Sequence, residues 1–161
     1  MIHILYGNGR GKTSSAFGLA LRMAGHGGRV LVVQFIKDGQ SGEVRSVRHV
    51  PGIETLHPNP YLDPASNRAV WEQAAARAAA PDGLRLIVLD EVLDAMAGGA
   101  LTLPELADSA RACAASGVEL VITGHDEPPR EIAGLADYIT RFESIRHPYD
   151  RGIPAREGVE Y

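Results

Sequence analysis

Ile2-His3-Ile4-Leu5-Tyr6-Gly7-Asn8-Gly9-Arg10-Gly11-Lys12-Thr13-Ser14 decides how the rest of the chain is read. Ile2 to Tyr6 form a short apolar run that predicts a strand. Gly7, Gly9 and Gly11 then predict a turn, and Thr13 to Met23 predict a helix. Strand, glycine-rich turn and Gly-Lys-Thr together describe a phosphate-binding loop. Glycine lets backbone N–H groups converge on phosphate oxygens, the helix N-terminus adds partial positive charge, and Lys12 adds a full one. Gly7, Asn8, Gly9, Arg10, Gly11, Lys12, Thr13 and Ser14 are therefore the candidate nucleotide-binding residues. The Thr13 hydroxyl is placed to ligate a magnesium ion held by the phosphates. One departure stands out: the usual pattern has glycine five residues before Gly11, and Tyr6 stands there.

A second stretch completes a nucleotide site. Arg85 to Leu89 predict a buried strand that ends in Asp90-Glu91. An apolar run closing on acids places carboxylates where they hold magnesium, directly or through water. Thr13, Asp90 and Glu91 are thus the candidate metal ligands, and Lys12 and Glu91 the candidate catalytic residues. In a hydrolase Glu91 would activate water. Nothing in the sequence makes water the nucleophile.

With 161 residues the chain is expected to form a single domain, 1–161, long enough to bury about two-thirds of its unfolded surface. Its net charge is −4, which gives no electrostatic footprint for nucleic acid or an anionic membrane. No apolar run approaches the ~20 residues that span a bilayer, so a soluble, cytoplasmic protein is expected. Cys113 is alone among alanines, which fits a buried packing role. Lysine occurs only at Lys12 and Lys37 among otherwise arginine cations. Where lysine is kept, a compact ammonium suits the position better than a planar guanidinium. Lys37, in the loop Ile36 to Gly42, becomes a candidate for a second ligand by that logic.

The remaining elements alternate. Phe17, Leu21 and Ala24 are spaced to form the buried face of the first helix. Val30 to Phe35 predict a second strand, Glu43 to Val50 a short helix and Ile53 to Leu56 a brief third strand. The prolines from His57 to Pro64 predict a connector or lid. Ala65 to Ala80 predict an alanine-rich helix with Trp71 in the core, and Leu103 to Ala115 another helix. Val118 to Thr123 predict a strand leading into the polar loop Gly124-His125-Asp126. Ligands sit at the carboxyl ends of parallel strands, so His125 is expected near the phosphate loop. Ile132 to Ala136 close a short helix, Tyr138 to Phe142 form a last strand, and residues from Arg146 onward read as a polar tail. His3, His26, His49, His57 and His147 are scattered and read as structural. The whole is an α/β fold: a mostly parallel sheet of about six strands with helices on both faces.

The combined segments resemble the ATP:corrinoid adenosyltransferases. The likeness runs through Tyr6 to Thr13, Ala16 to Arg22, Val33-Gln-Phe-Ile-Lys37, Val88-Leu-Asp-Glu91, Ile122-Thr-Gly124, His147 to Ile153 and Gly158 to Tyr161. It implies a RecA-like P-loop sheet in which the strand ending at Thr123 lies between the strands of the phosphate loop and Asp90. It also implies that the 5′-deoxyadenosyl group of ATP passes to Co(I) of a reduced corrinoid, with triphosphate leaving. ATP and the corrinoid are then substrates and magnesium the cofactor. Lys37 and His125 become candidates for the corrinoid, a reductase would supply Co(I), and a homodimer is expected. Three departures limit the likeness. Arg10 replaces the usual lysine, and His125 replaces an arginine, so a permanent cation becomes a titratable one. The aromatic segment of the longer members has only Asn59-Pro60-Tyr61-Leu62 in its region, as in the short members, and the chain begins directly at the first strand. Beside this reading stand a P-loop ATPase or small-molecule kinase, and a non-catalytic ATP- and corrinoid-binding module.

Overall fold

Continuous apolar runs flanked by helices require a sheet covered on both faces, and this is what the chain forms. The computed structural model describes residues 1–58 and 63–159. In chain order these are β1 (Ile2–Tyr6), α1 (Lys12–Gly25), β2 (Arg29–Gln34), α2 (Gly42–Val47), β3 (Ile53–Leu56), α3 (Pro64–Ala79) and β4 (Leu84–Asp90). There follow α4 (Val92–Ala97), α5 (Leu103–Ser116), β5 (Glu119–Gly124), α6 (Arg130–Ala133), β6 (Tyr138–Arg141) and a short 3-10 turn, Pro148–Arg151. The six strands lie in the order β3-β2-β4-β5-β1-β6, and every pairing is parallel. β5 lies between β1 and β4, as the family resemblance implied. Tyr6 consequently pairs with Gly124, and Leu89 with Ile122, so the loops after β1, β4 and β5 open on one edge.

Alternate residues of the central strands feed two cores. Ile4, Leu31, Ile87, Leu120 and Ile122 face one side, where they pack with Trp71, Leu106 and Cys113. Leu5, Val30, Val32, Val88 and Val121 face the other, against Phe17 and Ala20 of α1. Trp71 is a core residue, as expected. Burial pushes the Cys113 thiol up to about 11, which suits packing and not reactivity.

Several expectations need correction. The buried face of α1 is Lys12, Ala16, Phe17 and Ala20, while Leu21 is 45% exposed. The helix begins one residue earlier than expected, and its inward side is set by the phosphate loop that it continues. α4 has no counterpart among the expected elements. Its sequence is short and glycine-ended, and it starts from Glu91 in the left-handed region (φ 61°). α2 stops at Val47, and α6 spans Arg130–Ala133. The tail holds a 3-10 turn whose start is capped twice, the His147 ring accepting the Tyr149 N–H and the Asp150 carboxylate accepting the His147 N–H. The proposed aromatic substitute, Asn59 to Leu62, lies outside the described residues.

Candidate active site

The phosphate loop is shaped from below by the segment that follows β6. Tyr6 is still a strand residue, and its carbonyl accepts the Phe142 N–H at 2.7 Å. The missing glycine at that position is thereby explained, because the turn begins only at Gly7. A Cβ on Gly7, which has φ 112°, would collide with the Phe142 carbonyl oxygen. A Cβ on Gly9 would lie 2.6 Å from the Glu143 nitrogen. Only glycine permits so close an approach of two backbones.

That approach uses some of the loop's own donors. The Gly9 N–H donates to the Phe142 carbonyl at 2.9 Å, and the Gly7 N–H to the Gly124 carbonyl at 3.2 Å. Beyond the loop's other N–H groups an anion also meets the first turn of α1, where N–H groups have no intrahelical acceptor. Gly11 at its N-cap offers no side-chain cap, and no acidic residue lies in that turn. An anion therefore meets an uncompensated helix N-terminus. Lys12, buried, turns its ammonium to the carbonyls of Gly7 and Gly9. Burial holds this ammonium below the ordinary lysine value, with Glu91, Asp94 and Asp90 pulling the other way. Arg10 reaches the Val159 carbonyl at 2.8 Å, and the Ser144 N–H donates to Asn8 Oδ1 at 3.1 Å. The tail is thus fastened to the loop at both ends.

Asp90 ends β4 with no exposed surface. Its Oδ1 accepts from the hydroxyls of Thr13 at 3.1 Å and Thr123 at 2.9 Å. Its Oδ2 accepts from Gln34 Nε2 at 3.1 Å and Lys37 Nζ at 2.8 Å. The Lys37 ammonium also donates to Thr13 Oγ1 at 3.1 Å and lies 3.2 Å from Glu91 Oε1. Burial pulls the Lys37 ammonium down, but Asp90 and Glu91 outweigh it and hold the group above the ordinary lysine value. Glu91 keeps its left-handed backbone through an N–H bond to Thr123 Oγ1 at 2.8 Å.

These residues fit a magnesium ion. Thr13, Asp90 and Glu91 present hard oxygens around a point that a cation, the Lys37 ammonium, already occupies. Gln34 Oε1 is buried beside them without a hydrogen-bond partner. No group of three or more His, Cys, Asp or Glu side chains among the described residues is placed to hold a metal. A seat with two carboxylates and one hydroxyl suits magnesium, which draws its other ligands from phosphate and water.

The sequence brought most of this together: all eight loop residues from Asn8 to Ser14 with Gly7, and both acids, lie at one strand edge. A cavity of about 950 Å³ is lined by Asn8 to Ser14 together with Lys37, His125 and His147, with Gly7, Asp90 and Glu91 behind its wall. His125 lines the same cavity as the phosphate loop, as its position at the end of a parallel strand led one to expect, but it is half-exposed and tied to α4. Its N–H and Nδ1 each lie 3.1 Å from the Asp94 carboxylate. Lys37 stands against Thr13, Asp90 and Glu91, not on a separate surface. His147, read as structural, lines the cavity as well, with Nδ1 accepting the Tyr149 N–H. Gln34 and Thr123 were missed. Each is a polar side chain closing an apolar strand, which is the signal that would have found them.

The family described as ATP:corrinoid adenosyltransferase BtuR/CobO/CobP matches residues 1–161. A corrinoid adenosyltransferase of Pseudomonas aeruginosa is 37% identical over 96% of this chain and 80% of that protein. The corrinoid adenosyltransferase CobA of Salmonella typhimurium is 34% identical over 100% of this chain and 85% of its own length. A more distant relative of the same name from Sinorhizobium sp. is 25% identical over the whole chain. No helix among the described residues is long and apolar enough to cross a membrane. With the match spanning the phosphate loop, the Asp90 strand and the tail that lies over them, the chain belongs to the ATP:corrinoid adenosyltransferase family.

Proposed function

We propose that this cavity transfers the 5′-deoxyadenosyl group of ATP to the Co(I) centre of a reduced corrinoid, with the residues in the following roles. Lys12 and the first turn of α1 hold the triphosphate, and Gly7 to Ser14 shape its seat. Thr13, Asp90 and Glu91 would hold magnesium, which when bound supplies positive charge to the triphosphate oxygens. Co(I) attacks the 5′ carbon, a Co–C bond forms, and the C5′–O bond breaks with its electron pair leaving on triphosphate. The protein's part is to stabilise the charge that grows on the departing oxygen and to keep water away from Co(I). Lys37 and His125 flank the mouth where a second substrate approaches.

The observation that carries this reading is the state of Glu91. It is the residue that a hydrolase would use to activate water, yet its carboxylate is ion-paired with Lys37 at 3.2 Å. A carboxylate committed to holding a cation, the ammonium here or a metal in its place, is not free to activate water, whereas transfer to Co(I) requires no base. We extend the reading to one nucleotide-binding domain over 1–161, acting as a homodimer in the cytoplasm and receiving Co(I) from a reductase.

Phosphorus NMR of an anaerobic mixture tests it. Inorganic triphosphate is expected only when ATP and reduced corrinoid are both present, and Lys12→Ala is expected to abolish ATP binding by calorimetry. Rapid ADP formation without corrinoid would replace the transferase by an ATPase or kinase.

A further inference from the structure

We propose that the Lys37 ammonium fills the magnesium position in the nucleotide-free protein and is exchanged for the metal when ATP binds. The inference rests on the reading of Thr13, Asp90 and Glu91 as the magnesium ligands.

Three oxygens assigned to the metal are the three that Lys37 touches: Thr13 Oγ1 at 3.1 Å, Asp90 Oδ2 at 2.8 Å and Glu91 Oε1 at 3.2 Å. Magnesium binds such oxygens at about 2.0–2.1 Å. A metal and an ammonium cannot share that point, so one excludes the other. The need for a cation there is plain from burial. Asp90 has no solvent contact, and an isolated buried carboxylate is strongly disfavoured. Lys12 does not serve, because its ammonium is turned to the Gly7 and Gly9 carbonyls. Lys37 is the cation that the structure supplies.

The backbone that aims Lys37 is itself under constraint. Ile36 has φ 55°, a left-handed conformation that a β-branched residue rarely takes. Its N–H is held by Asn67 Oδ1 at 2.9 Å, and Asn67 Nδ2 is anchored to the Asp63 carbonyl at 3.1 Å. Asn67 is only 3% exposed. A buried amide on α3 thus keeps Ile36 in the geometry that delivers Lys37 to Asp90. Displaced by a metal, the ammonium stays on the cavity wall beside the triphosphate, where its charge is still useful to the leaving group.

Because the chain has only two lysines, Lys12 and Lys37, the exchange is directly visible. Protein labelled with 15N-lysine should give two Nζ signals, assigned with Lys37→Arg. In the nucleotide-free protein the Lys37 signal should be protected from exchange with water. Magnesium with ATP, in the absence of corrinoid, should shift it and remove the protection. In parallel, Lys37→Met, checked for folding by circular dichroism, should bind Mn2+ without nucleotide at least tenfold more tightly than the unaltered protein, read from the electron paramagnetic resonance of free Mn2+. An unmoved Lys37 signal at saturating magnesium and ATP, or unchanged Mn2+ affinity in folded Lys37→Met, overturns the exchange. Calorimetry of Asp90→Asn separates the two layers. If its ATP binding depends on magnesium as before, the ligand assignment fails and the exchange with it. If that dependence is lost but Lys37 does not move, the exchange alone fails.

Discussion

Thr123→Val removes one hydroxyl and almost no volume, and the structure lets its cost be worked out. The Thr123 hydroxyl is fully buried. It donates to Asp90 Oδ1 at 2.9 Å and accepts the Glu91 N–H at 2.8 Å. A hydrogen bond to a charged group contributes about 1.5–3 kcal/mol, and a buried donor left without a partner costs about 1–3 kcal/mol. The lower part of the summed range applies, because Asp90 Oδ1 keeps Thr13 and Glu91 is not wholly buried. We expect a loss of about 3 kcal/mol, which for a chain of this size lowers Tm by roughly 6–12 °C. Urea unfolding followed by circular dichroism measures it. Thr123→Ser is the comparison, since it keeps both bonds and loses only a methyl group, at about 1 kcal/mol. If Thr123→Val proves as stable as Thr123→Ser, packing outweighs the polar network and the argument fails.

Gly9→Ala drives a Cβ to 2.6 Å from the Glu143 nitrogen, so residues after Arg141 should detach and be cut faster in limited proteolysis, with weaker ATP binding. Unchanged cleavage would mean that the loop does not hold the tail. Gly18→Ala is the opposite case: a Cβ on this exposed mid-helix glycine would have nothing within 4 Å of it, and the change should stabilise by about 0.5–1 kcal/mol with activity intact. Chemical denaturation of the two proteins side by side reads the gain. The Glu105 carboxylate is held at about 2 by the Thr102 backbone and hydroxyl and by Arg68. A depressed folded value means that its contribution is present above the ordinary carboxylate range near 4.5 and is lost as pH falls toward about 2. Glu105→Gln should therefore flatten the fall of Tm with acid across that window, by an amount reduced by the partial exposure of the side chain.

How far the sequence carried the reading follows from what each residue depends on. The phosphate loop and the six strands rest on local patterns: glycine spacing for one, unbroken apolar runs for the other. The acid pair at Asp90 and Glu91 rests on a local pattern too. The partners of Asp90 do not. Gln34 meets it because β2 and β4 pair in the register that sets Gln34 opposite Asp90. Thr123 meets it because β5 continues past the Leu89–Ile122 pair. Strand order and register are global, and a polar residue closing an apolar strand announces itself without announcing its partner. The contact of Lys37 with Asp90, though not its candidacy, is hidden for a different reason. Its direction depends on a left-handed isoleucine, a conformation that its own residue type argues against. His147 lines the cavity only because the tail returns across the sheet edge.

That return has an electrostatic consequence for the whole site. β6 pairs with β1, so the chain leaving Arg141 must cross beneath the phosphate loop. There it takes the Gly9 N–H for the Phe142 carbonyl. With Gly7 also engaged, fewer loop donors are left for phosphate than the motif alone suggests. The charged groups do not make up the difference. Lys12 and Lys37 stand against Asp90 and Glu91, and Lys37 is spent on the two acids. With Arg10, Lys12 and Lys37 set against Asp38, Glu43, Asp90 and Glu91, a triphosphate arriving alone would meet a site with no net positive side-chain charge, beside the helix N-terminus. On the proposed exchange, a divalent cation entering with it would change the balance twice, by its own charge and by returning the Lys37 ammonium to the cavity. Tight binding of the leaving group and the exchange at Lys37 are on this account the same event.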